Sequence, residues 1–187
     1  MGMRGIGTAV FRALLPAALV LAAVPAVPAS AQQPDAEKAA HTRLFLDTFL
    51  TRCMPAAHAG KPVDTAGMTP VESPLAEVWL HGMEGSVWNP QPDMQVVMVV
   101  REAGGCLVLS ALGDTGAVEA AVRERFGAAA AGFDQEHFKR TEDGGIQSFY
   151  RTRACPAAQG CRVIVNTRGT PGPGGLAMMA GAAQIKE

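Results

Sequence analysis

The stretch MQVVMVVREAGGCLVLSAL, residues 94–112, constrains the fold of this chain more than any other. Two runs rich in valine and leucine, Met94 to Arg101 and Cys106 to Ala111, flank Glu102-Ala103-Gly104-Gly105. β-branched runs broken by a short glycine-bearing turn form a hairpin, which pairs its strands antiparallel. A second hairpin is expected from HFKRT and IQSFYRTR around Glu142-Asp143-Gly144-Gly145. Its later arm alternates Gln147, Phe149, Arg151 and Arg153 with Ile146, Ser148, Tyr150 and Thr152, the mark of a strand with one wet face. GSVWN, Gly85 to Asn89, and Arg162 to Thr167 read as shorter strands, and LAMMAGAAQI fits a last strand or a packed helix equally well.

Helical signals lie between these strands. In AAHTRLFLDTFLTRC, Leu46, Phe49, Leu50 and Cys53 share one face, and Arg43, Asp47, Thr51 and Arg52 share the other. The polar Gln32 to Glu37 is expected to fray before this helix, and Pro55 with the loop to Thr69 is expected to end it. Ser73-Pro74 starts a short helix with Leu75, Val78 and Trp79 as its apolar face. Asp114 or Thr115 caps another, with Val118, Ala121, Val122 and Phe126 opposite Glu119, Arg123 and Glu124, and Ala128 to Gly132 closes it. Helices do not alternate singly with strands, so the expected class is α+β: an antiparallel sheet of hairpins with helices packed on one face, stapled by disulfides.

Residues 1–31 carry Arg4 and Arg12 as their only charges, an apolar run from Ala13 to Val24, and the small-x-small triplet Ala29-Ser30-Ala31. That pattern predicts a cleaved secretory signal, leaving residues 32–187 as a single α+β domain in the periplasm or outside the cell. The apolar run is broken by Pro16 and falls short of the roughly 20 residues a membrane span needs. The mature part has 14 basic and 17 acidic residues, evenly mixed and without a basic run. Nucleic acid and anionic membrane surfaces are therefore poor partners.

All four cysteines, Cys53, Cys106, Cys155 and Cys161, fall in the mature part, as a disulfide framework in an exported chain requires. The pair in ACPAAQGC has neither the C-x-x-C redox spacing nor a second pair of zinc ligands nearby, so Cys155 is expected to bond Cys161. Met54, His58, His81, Met83 and Met178-Met179 have irregular spacings, and no metal or cofactor is expected. Ser86 and Ser110 lack the G-x-S-x-G turn of a nucleophile elbow. His81 and Glu84 in WLHGMEG are the acid/base candidates, with a helix C-terminal cap as the alternative role for His81. GTPGPGG lacks the trailing Lys-Ser/Thr of a phosphate loop and reads as a connection between strands. Trp79 and Trp88 read as core anchors.

F-x-x-x-C at Phe49 to Cys53, G-x-V-W at Gly85 to Trp88 and G-G-C-L-V at Gly104 to Val108 follow a signal-like leader here. In these features the chain resembles a family of small exported bacterial proteins of unknown function. The resemblance implies a bond between Cys53 and Cys106, carries no catalytic residue, and leaves Cys155 and Cys161 as a local addition. The expected function is a periplasmic binding or envelope-associated module, its ligand or envelope partner unidentified. The alternative is a small hydrolase-like envelope enzyme using His81 and Glu84. Intact-mass analysis of the exported protein is expected to show a chain starting at Gln32; recovery of the uncleaved chain in the membrane fraction would refute this.

Overall fold

The computed structural model describes residues 29–102, 104–127, 131–170 and 175–185. The expected leader up to residue 28 lies outside the described residues, as do parts of the Ala128 to Gly132 and GTPGPGG segments.

Eight strands form one antiparallel sheet: β1 (Thr69–Pro70), β2 (Gly85–Asn89), β3 (Val96–Arg101), β4 (Cys106–Ser110), β5 (Asp134–Arg140), β6 (Ile146–Thr152), β7 (Cys161–Thr167) and β8 (Met178–Gln184). Their spatial order is β1-β2-β3-β4-β8-β7-β6-β5. Two meanders thus meet at the β4–β8 seam, where Val108 lies opposite Ala180. The chain crosses from β4 to the far edge through helix α4 (Thr115–Phe126) and returns strand by strand. The α+β class expected from the hairpins is the one observed.

One face of the sheet carries α1 (Ala29–Asp47), a π-helical turn (Thr48–Cys53), α2 (Met54–Ala59) and α4. Phe45, Phe49 and Cys53, all buried, descend one side of the long helix onto Val96, Met98, Val108 and Ala180. Phe126 of α4 stacks on Tyr150 at 5.1 Å. Asp114 caps α4, its carboxylate accepting from the Ala117 N–H at 3.0 Å. Among the described residues a smaller cluster covers the opposite face, where the short helix α3 (Leu75–Leu80) adds Ala76, Trp79 and Leu80 to Val87, Val97, Val99 and Leu109, with Met179 of β8 beside them.

Four local expectations need correction. Gln32 to Glu37 is helical: Gln32, Gln33, Ala36 and Glu37 favour a helix, and Pro34 is tolerated because it falls near the start of α1. Pro55 does not end the helix, which runs on to Ala59. Met54 N–H already bonds the Phe49 carbonyl five residues back, and this widened turn accommodates a proline that has no N–H to donate. The buried face of α3 is Ala76 with Trp79 and Leu80; Leu75 and Val78 point outward, 58% and 59% exposed. Glu119, expected on the wet face of α4, is buried because Arg123 at 2.9 Å and Arg140 of β5 at 2.7 Å close over its carboxylate. The segment left open between strand and helix, LAMMAGAAQI, supplies β8.

Both disulfides pair as expected, Cys53 with Cys106 and Cys155 with Cys161, with Cα separations of 5.6 and 6.1 Å. The first spans 53 residues and joins the long helix to β4; the second spans 6 and closes the turn before β7. On the chain-entropy estimate these loops are worth about 4 and about 2 kcal/mol respectively. Cys53→Ser is therefore expected to lower the urea-unfolding free energy by about 2 to 5 kcal/mol, since it also puts a hydroxyl into the core. Cys155→Ser should lower it less, and the reverse ranking would refute the assignment of the larger staple.

Candidate functional site

A cleft of about 560 Å³ opens between α2 with its following loop and the near end of β2, β3 and β4. Its size falls in the roughly 300–1,000 Å³ range of small-ligand sites. Ala56 and Ala57 form one wall, and their small side chains leave the space that larger residues would fill. Pro62 and Val63 extend that wall, while Trp88, Ser86 and Val100 form the facing one.

The local chemistry that holds these walls is legible residue by residue. Ser86 lies opposite Val100 and Trp88 opposite Met98 on adjacent strands, so strand alternation brings Ser86, Trp88 and Val100 to the helix-covered face. Trp88 is half-buried against the main core, and its Nε1–H donates to Ser86 Oγ at 2.9 Å, which fixes the indole plane. Gly60 ends α2 in the left-handed region at φ 64°, and a Cβ there would lie 2.6 Å from Gln184 Nε2. Gly105 has φ 90°, and its Cβ would lie 2.7 Å from the Ala182 carbonyl oxygen. Both positions therefore require glycine, and both line the cleft. The Cys53–Cys106 bond ties the two walls together, because Cys53 lies one turn before Ala56 and Ala57, and Cys106 directly follows Gly105.

Neither acid/base candidate lines the cleft, although Glu84 adjoins its rim. His81 terminates α3, with φ 48° and its backbone N–H donating to the Glu77 carbonyl, and its side chain is exposed. Glu84 is also exposed, and its carbonyl accepts the Glu102 N–H at 3.2 Å. Met178 packs in the main core against Gly113, the role of a gap-filling methionine. Trp88, read as a core anchor, serves also as a cleft wall. Sequence reasoning did not find the cleft, because its walls come from segments some 25 to 125 residues apart. The available signals were the alanines and glycine just after Cys53 and the two glycines just before Cys106.

On α2, His58 stacks on Phe133 with ring centroids 5.3 Å apart. Its Nε2 is buried without a hydrogen-bond partner among the described residues. Burial, and secondarily the nearby Arg125 guanidinium, hold its pKa below the ordinary 6.5.

No protein-family model, curated protein or solved structure matches the chain.

His58 gives the fold a defined pH response. Because its folded pKa is depressed, the neutral ring contributes stability that is fully present above pH 6.5 and is lost as pH falls through the folded value. Urea midpoints measured downward from pH 8 should decline across that window in the wild type. His58→Gln should remove that part of the slope, and an unchanged slope would refute the assignment.

Proposed function

We propose that the chain is an exported, non-catalytic binding module whose ligand seat is the cleft between α2 and the β2–β4 end of the sheet. The observation that carries this reading is the cleft itself: a small-ligand volume bounded by apolar and hydrogen-bonding groups, with walls tied by the Cys53–Cys106 bond. A covalently fixed pair of walls loses little conformational entropy when a ligand enters, and a fixed indole presents a flat apolar surface at no further ordering cost.

Export is supported by the signal-like first 31 residues together with two disulfides that use every cysteine, a combination suited to an oxidising compartment. No helix among the described residues is long and apolar enough to cross a membrane. The resemblance to small exported bacterial proteins belongs to the same proposal and points the same way.

Native purification from the envelope fraction, followed by mass spectrometry of whatever the protein retains, tests the reading. A small molecule held at a fixed ratio by the wild type, and lost from Trp88→Ala that is still folded by circular dichroism at the assay temperature though melting lower, is the expected result. Retention equal in both proteins would place the seat elsewhere. Hydrolysis of envelope substrates that disappears in His81→Ala would replace the binding module with the enzyme.

A further inference from the structure

The two disulfides sit in opposite surroundings. Cys53 and Cys106 are 0% and 3% exposed and belong to the main core, with Phe49 and Val108. Cys161 is also buried, at the start of β7, but Cys155 is part-exposed, and Arg153, Ala154, Pro156, Ala158 and Gln159 around it are exposed. A reagent in solution therefore reaches the second bond from one side, at Cys155. Shielded disulfides are the structural ones, and exposed ones are those that exchange.

The turn that carries this bond has its shape fixed by other contacts. Thr152 pairs with Cys161 across β6 and β7. The Gly160 N–H donates to the Ala157 carbonyl at 2.9 Å, and the Gly160 carbonyl accepts the Ile185 N–H at 2.9 Å. Arg151 Nη2 donates to the Gln159 carbonyl at 2.7 Å, and the Ala154 N–H donates to Thr152 Oγ1 at 3.1 Å. Gly160 has φ 87°, and a Cβ there would lie 2.5 Å from the Thr152 carbonyl oxygen, so glycine itself sets the bend. These contacts hold the two cysteines side by side when the bond is open. Cys161 Sγ also lies 3.9 Å from the Ala57 carbonyl oxygen, an acceptor for the thiol that reduction creates. From Arg151 to Arg162 the sequence holds three arginines and no acid, and Glu136 offsets only part of that charge by pairing with Arg151 and Arg162. A cationic, part-exposed setting favours both the thiolate that attacks and the one that leaves.

We propose that Cys155–Cys161 is a thiol–disulfide exchange site, reduced by the dithiol of a protein partner. One thiolate of the partner attacks Cys155 Sγ, the bond between the two cysteines breaks, and Cys161 leaves with the electron pair and takes up a proton. The partner's second thiolate then attacks the partner sulfur of the mixed disulfide, and Cys155 leaves in turn as a thiol. The partner supplies both electrons and ends as a disulfide. A dithiol is needed because Cys161 stays in place: it would return to Cys155 and expel a monothiol, whereas a second thiol on the partner completes the exchange. The spacing of six residues suits a bond that receives electrons, since the C-x-x-C of disulfide oxidoreductases is absent. Exchange at this turn is independent of whether the cleft holds a ligand.

The test treats the full oxidised protein with dithiothreitol and, separately, with reduced thioredoxin as a protein dithiol. Alkylation and peptide mapping identify the thiols released, and circular dichroism follows the fold. Dithiothreitol should open Cys155–Cys161 about a hundredfold or more faster than Cys53–Cys106, which must wait for the core to open, with the spectrum unchanged. Thioredoxin should open the same bond and leave Cys53–Cys106 closed. In folded Cys161→Ser the remaining Cys155 thiol should react at once with a nitrophenyl disulfide reagent, whereas the Cys161 thiol of Cys155→Ser should react only after denaturation. Opening of both bonds at one rate, or loss of the native spectrum with the first bond, would overturn the exchange site, and these wild-type measurements decide even where a variant fails to fold. Opening by dithiothreitol but not by thioredoxin would overturn the protein partner. Labelling of Cys161 as fast as Cys155 would overturn the direction of attack.

Discussion

The contact on which the rest of this molecule depends is the descent of Phe45, Phe49 and Cys53 onto the centre of the sheet, fixed by the bond from Cys53 to Cys106. β4 is a seam strand, paired with β3 on one side and β8 on the other, so the helix is attached where the two meanders join. Burial of large aromatic side chains supplies the driving force, and the covalent link removes the open-chain alternatives in which the helix swings free. The position of α2, and hence the cleft wall, follows from that attachment.

The two sheet edges are managed differently. β1 is only two residues long and offers little template for another chain. β5 is longer, but its sequence DQEHFKR is almost wholly polar, it carries a register shift between Gln135 and His137, and its strand pairing is on one side only. Charge and irregularity on an exposed edge discourage edge-to-edge association. Arg140 does two jobs there, since it blunts the edge and also clamps β5 to α4 through Glu119.

Much of the fold was legible because its signals are local. GSVWN bounded by prolines, both glycine-bearing hairpins, the Asp114 cap and the close Cys155–Cys161 pair each follow from a few neighbouring residues. What escaped was set by distant partners. Glu119 is buried under Arg123 of its own helix and Arg140, which β5 brings to it, and Pro55 is tolerated because the preceding turn widens. Whether the small residues of Met178 to Gln184 make helix or strand was decided by the vacancy between β4 and β7. The cleft escaped for the same reason: Lys61, Trp88 and Glu102 have no common sequence pattern, and only the folded sheet and helix bring them to one space.

The order of strands also bears on the timing of folding. β8 comes last of the eight in the chain yet occupies an interior place, and without it β4 and β7 have no partner at the seam. Neither meander can bury its inner edge until that strand has been made, and the pairings it completes reach far back along the chain. Until β8 is made the two meanders have no strand to join them, so closure of the sheet waits on the last of its strands.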